Sequence, residues 1–173
     1  MNLLPGVIAF FLFLVFDFNK IKWHNRLCNL LFALGGILLA WSTASCIDLS
    51  HFIWNARSIF GLILLAASAA ALIYTLFFAL PFQSTYTRGN DLPVVSTGVY
   101  GLCRHPAFWP FLLLYAALWL TFGGNRLLLA AVVYPVCNWL YIYVQDRCIF
   151  PQYIHGYDTY RLSVPFLIPR RKR

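Results

Sequence analysis

Five runs of residues without a single charge constrain this chain more than any other feature: Leu3 to Phe16, Leu27 to Ile47, Ile59 to Phe82, Phe108 to Phe122 and Leu127 to Val144. A helix needs roughly 20 apolar residues to cross a bilayer, and in lipid each backbone N–H and C=O must find its partner within the spanning structure. The runs therefore predict an all-α fold, a polytopic membrane bundle of about five transmembrane helices with a C-terminal interfacial segment. Only 10% of the residues are charged, against roughly a quarter in soluble domains. A single membrane domain over residues 1–173 is expected, with three N-terminal spans in 1–82 and a loop, helical hairpin and tail in 83–173. The first run does not read as a signal peptide, because Lys20, Lys22 and Arg26 follow it where a signal would put its charges in front.

Local features refine this picture. Gly123, Gly124, Asn125 and Arg126 leave room only for a tight hairpin between the fourth and fifth spans. Gly36 with Ala40, and Ala66 with Ala70, are small residues one helical turn apart, a spacing that lets helices approach closely in lipid. Pro135 is expected to kink or locally open the fifth span. Of the 13 lysines and arginines, five spans with an external N-terminus place eleven on the cytoplasmic side and leave Arg57 and Arg126 outside. That asymmetry predicts an external N-terminus and a cytoplasmic C-terminus. The net charge of +8 is thus a topology signal, and no nucleic-acid partner is expected. The five cysteines have neither paired nor metal-ligand spacing and read as apolar packing residues.

Two polar stretches interrupt the pattern on that cytoplasmic side. Leu92 to Pro106 ends in Arg104-His105-Pro106 immediately before the fourth span, and Gln145 to Arg173 follows the fifth. Proline is favoured just inside a helix start, so the first stretch delivers an arginine and a histidine to a helix mouth, a placement suited to an anionic group. The hairpin makes the two stretches neighbours, which predicts a shared site. The same residues also suit simpler duties, with Arg104 and Arg147 as snorkelling anchors and His105 as a helix cap.

Gly98-Val-Tyr100, Arg104-His105-Pro106, the hydrophobic hairpin, Gln145-Asp146-Arg147, and then Tyr157, Tyr160, Val164-Pro165 and Ile168-Pro169 occur in that order. Together they resemble the isoprenylcysteine carboxyl methyltransferase superfamily, which includes phospholipid methyltransferases and other small integral membrane methyltransferases. The resemblance covers about residues 92 to 169. The chain departs from the family pattern at Phe108, where a tyrosine is usual, at Pro110, where a glycine is usual, and at Gln145-Asp146, which replaces a Glu-Glu pair.

The resemblance implies S-adenosylmethionine as cofactor, held at the cytoplasmic face, and methyl transfer to a lipophilic small molecule or lipid acceptor reached from the bilayer. It implies cofactor-binding roles for Gly98, Tyr100, Arg104, His105, Pro106, Phe108 and Trp109: the aromatic residues flank the adenine or sulfonium, and Arg104 and His105 take the cofactor carboxylate. Asp146 would accept from the ribose or amino group, and Arg147 would orient the acceptor, the two forming the catalytic pair. Tyr100 and Trp109 equally suit an interfacial aromatic belt, and His155 an exposed position in the tail. Two other readings stand beside this one. The Arg-His-Pro, Asp-Arg-Cys and Val-Pro-Phe pattern also looks like the tail of NADPH-dependent sterol reductases, and a non-catalytic relative that binds lipid or a partner fits the missing glutamates.

Overall fold

A computed structural model describes residues 3–79 and 92–169. Arg88 and the terminal 170–173 basic run, both counted in the charge asymmetry, and the last residues of the third apolar run lie outside the described residues. The chain forms a helical bundle. In chain order the helices are α1 (Leu4–Ile21), α2 (Leu30–Cys46), α3 (Ala56–Ile73), α4 (Phe108–Phe122), α5 (Asn125–Val144) and α6 (Tyr157–Ser163). A short parallel pairing joins β1 (Leu92–Pro93) to β2 (Ile154–His155). Helix α3 packs on α4, α1 on α2, and α5 lies between them, touching α4, α1 and α2.

Four helical segments are long and apolar enough to cross a membrane, Leu4–Ile21, Arg26–Cys46, Ala56–Phe78 and Asn125–Tyr153, and the apolar α4 is shorter. This is compatible with a multi-pass integral membrane protein. Only 11% of the window in the second segment is buried, and Leu34, Ile37 and Trp41 stand exposed on it. Such a surface is at home in lipid and costly in water.

The boundaries follow local chemistry. Pro5 starts α1, where its missing N–H costs nothing. The helix ends as Trp23 and His24 both donate to the Asn19 carbonyl, with His24 at φ 52°. The Asn19 side chain then donates to the Asn25 carbonyl and accepts from the Asn25 N–H, both at 2.9 Å, which pins the turn into α2. Asn55 caps α3 by accepting from Ser58 N at 2.9 Å. Gly123 (φ 69°) and Gly124 (φ 82°) make the tight turn between α4 and α5, a conformation that other residues adopt with strain.

Two expectations change. The first helix does not stop at Phe16 but continues to Ile21, carrying Asp17 and Lys20 inside it. Pro135 lies within α5, which is helical on both sides of it. The small residues that permit close packing are neighbours of those expected: Gly35, Gly61, Ser58 and Ser68 are buried, while Gly36, Ala40, Ala66 and Ala70 are exposed. A Cβ on Gly35 would meet the Phe13 ring at 2.7 Å and the Ala9 carbonyl at 3.1 Å, and one on Gly61 would meet Thr121. The reason is rotational. One residue turns a helix by about 100°, so a stripe chosen by spacing alone lands on the wrong face.

The core is polar at selected points. Tyr134, fully buried, shares a 2.6 Å hydrogen bond with Ser42, and Tyr115 shares one of 2.7 Å with Thr43. These tie α5 and α4 to α2 in a medium where an unpaired hydroxyl is costly.

Candidate functional site

Helix α5 leads directly into the site. After Val144 the ladder widens into a π-turn over Gln145–Ile149 and then closes with one α-turn, Phe150–Tyr153. Such single wide turns often mark functional positions. This one turns Asp146 inward, leaving it 1% exposed. A second π-turn, Tyr74–Phe78, extends α3, and its Thr75 carbonyl accepts from Tyr100 Oη at 3.2 Å.

Around Asp146 the residues expected from the sequence converge. Arg104 forks onto the carboxylate, Nε to Oδ1 at 2.7 Å and Nη2 to Oδ2 at 3.0 Å. Tyr157 Oη donates to Oδ1 at 2.6 Å, and His105 Nε2 lies 3.4 Å from the same oxygen. Arg104 Nη1 donates onward to the carbonyls of Arg161 (2.9 Å) and Val164 (2.6 Å). Four of the five guanidinium N–H donors are thereby spent within the protein.

The backbone completes the attachment of loop to tail. Arg104 N donates to the Pro165 carbonyl at 3.0 Å and His105 N to that of Phe166 at 3.3 Å. Trp109 Nε1 donates to the Leu167 carbonyl at 2.9 Å, and Tyr160 Oη to that of Tyr100 at 2.6 Å. Two glycines shape this region. Gly98 (φ 59°) opens the 3₁₀ turn Gly98–Gly101, and Gly156 (φ 76°) separates β2 from α6. Pro106 lies in the turn before α4, which begins two residues later at Phe108. Phe108 is half-buried against the Trp109 ring, while Pro110 is buried.

Charge in this cluster is set by burial. His105 lies between the Phe150 ring, stacked at 5.8 Å, and the Phe166 ring, edge-on at 5.1 Å. Desolvation holds its pKa below the ordinary histidine value even though Asp146 pulls the other way, so the imidazole is neutral at pH 7. Burial and the adjacent Asp146 carboxylate both raise the Tyr157 phenol, which therefore remains a donor. Burial likewise raises the Cys103 thiol. Tyr157, Tyr160 and Val164 form a small core of their own with Val94, Phe150 and Ile154 beneath the tail.

The anion facing Arg104 and His105 is thus the chain's own Asp146. Arg147 is not brought into that pair. It is exposed, one helical turn beyond Tyr143, with its guanidinium 5.7 Å from that ring. Tyr143 in turn stacks on Trp139 and meets Phe166 edge-on. His155 is exposed in β2, as the sequence suggested.

One residue of this region escaped the sequence reading. Asp17, 3% exposed, accepts from Tyr141 Oη and from Gln145 Nε2, both at 2.8 Å, and Gln145 Nε2 also reaches Tyr141 Oη at 2.7 Å. The apolar run stops at Phe16, one residue before Asp17. The signal that would have found it is a lone acid directly continuing an apolar run, with Lys20 three residues on, since ionisable groups within spans are retained for a purpose. Comparison of the chain with protein-family models, with curated proteins and with solved structures returned no match.

Proposed function

We propose that this chain is a small multi-pass membrane methyltransferase that binds S-adenosylmethionine at the cytoplasmic face and methylates a lipophilic acceptor arriving through the bilayer. One observation supports the reading above others. The three stretches that carry the family resemblance, the Arg104-His105-Pro106 loop, the end of α5 and the tail from Tyr157 to Val164-Pro165, meet in one polar cluster around Asp146. The external N-terminus and cytoplasmic C-terminus belong to the same proposal and rest on the charge asymmetry.

The donor set suits the cofactor in kind, with roles exchanged relative to the sequence expectation. Arg104 spends its hydrogen bonds on Asp146 and the tail, so it serves as the residue that fixes the tail to the loop. An exposed guanidinium at Arg147 remains for a carboxylate, and the rings of Trp109 and Tyr143 for an adenine. When bound, the cofactor supplies an electrophilic methyl group. The protein's part in an in-line displacement of this kind is to align donor and acceptor and keep water away.

A second reading has its own observation: Arg104 and Asp146 satisfy each other so fully that the cluster serves equally as the clasp of a non-catalytic lipid- or partner-binding protein. Calorimetric titration of the detergent-solubilised protein with S-adenosylhomocysteine, and separately with NADPH, decides among these. We expect the first to bind and the second not to. Binding of NADPH alone would assign the reductase chemistry, and binding of neither would leave the non-catalytic reading.

A further inference from the structure

We infer that Asp17 is the acidic binding residue of this site, its carboxylate reaching from α1 to Gln145 to receive the cationic end of bound S-adenosylmethionine. The inference rests on the methyltransferase reading above. The family pattern has an acidic residue where this chain has Gln145, so the sequence lacks that charge. In the folded chain the Gln145 amide donates to a carboxylate at 2.8 Å, so the negative charge is restored at the same point from another helix.

Elimination leads to the same residue. The chain has five acidic residues, all aspartates. Asp146 is neutralised by Arg104. Asp48 caps a turn at the far end of the bundle through Ser50, Asp158 is exposed on α6, and Asp91 lies outside the described residues. Among the described residues, Asp17 alone is a buried carboxylate whose hydrogen bonds all come from neutral groups, Tyr141 and Gln145. The cation nearest along the helix, Lys20, acts on the carboxylate through space without forming an ion pair with it, its ammonium lying 4.5 Å from the centre of the Phe16 ring. An asparagine would make comparable hydrogen bonds without the desolvation cost of a charge. The charge is therefore explained by what it binds, and a sulfonium or ammonium is the matching partner for a carboxylate held by the Tyr141 hydroxyl and the Gln145 amide.

The test exchanges the two groups. Asp17→Asn, Gln145→Glu and the double variant are purified in detergent, checked for folding by gel filtration and thermal melting, and titrated with S-adenosylmethionine and S-adenosylhomocysteine. Asp17→Asn is expected to weaken binding about tenfold or more. Gln145→Glu alone, which sets two carboxylates face to face, should weaken it as well, and the double variant should recover to within about threefold of wild type. A loss confined to S-adenosylmethionine identifies the sulfonium as the group received, whereas an equal loss for both ligands identifies the ammonium. Wild-type affinity in Asp17→Asn overturns the inference and leaves the methyltransferase reading intact. So does a double variant that folds without recovering, or one that does not fold when Asp17→Asn does not, since Asp17 then serves structure alone. Absence of binding by the wild-type protein overturns both.

Discussion

Asp146 is a buried charge whose one charged partner among its hydrogen bonds is Arg104, with Tyr157 and the neutral His105 beside it, and this makes the pair a sensitive probe of the site. Removing one partner of a buried ion pair leaves the other unpaired, at a cost of about 3 to 5 kcal/mol, while replacing both with apolar residues is often far milder. Arg104→Leu should therefore destabilise the protein severely, and adding Asp146→Leu should return part of that loss. Unfolding of wild type, both single variants and the double variant against a rising mole fraction of SDS measures this, and strict additivity would mean that the pair is not coupled. The neighbouring Tyr157 gives a graded comparison. Its hydroxyl donates to the carboxylate at 2.6 Å, so Tyr157→Phe should cost about 1.5 to 3 kcal/mol, the range for hydrogen bonds to charged groups. At this scale the participants are legible in the sequence but their pairing is not. Arg104, His105 and Asp146 announce themselves as polar residues at helix ends, yet nothing in their spacing says that the arginine's donors are already committed within the chain.

Helices were legible wherever an apolar run met a clear stop, and illegible where a helix carried polar residues past the end of its run. The hairpin at Gly123-Gly124 and the cap at Asn55 follow from glycine's tolerance of positive φ and from asparagine's free acceptor. The continuation of α1 past Asp17 does not, because the residues that justify it, Tyr141 and Gln145, lie more than a hundred positions away. The same limit explains the small-residue stripe. Periodicity fixes which residues share a face but not which face meets a neighbour, so Gly35 and Gly36 look alike until α1 is in place. The structure separates them: a side chain at Gly35 would strike Phe13 and the Ala9 carbonyl, whereas one at Gly36 meets nothing within 4 Å. Gly35→Leu should thus destabilise by about 1 to 3 kcal/mol, the cost of overpacking, with Gly36→Leu close to neutral. Thermal melting of the two variants in one detergent checks it, and equal melting temperatures would place α2 in a different rotation.

At the scale of the whole molecule, the charge asymmetry and the site must agree on one face of the membrane. The beginning of α2, both π-turns, the loop and the tail all gather at one end of the bundle, and Asp48 and the Gly123-Gly124 turn at the other. Positive residues cluster at the first end, which the positive-inside rule assigns to the cytoplasm. The native cysteines permit a direct test with a membrane-impermeant maleimide. Cys148 is exposed on the π-turn Gln145–Ile149, while Cys103 is buried with its thiol shifted upward and therefore short of the reactive thiolate. In a variant retaining Cys148 as its sole cysteine, labelling is expected in inside-out vesicles and not in intact cells. Leu49→Cys in a cysteine-free background, at a site 71% exposed near the opposite end, should show the reverse. If both positions label from the same side, the five-span arrangement is wrong. If both label from the sides opposite to those expected, the bundle stands but is inverted, and a site drawing on a cytoplasmic cofactor could not lie where Arg104 and Asp146 meet.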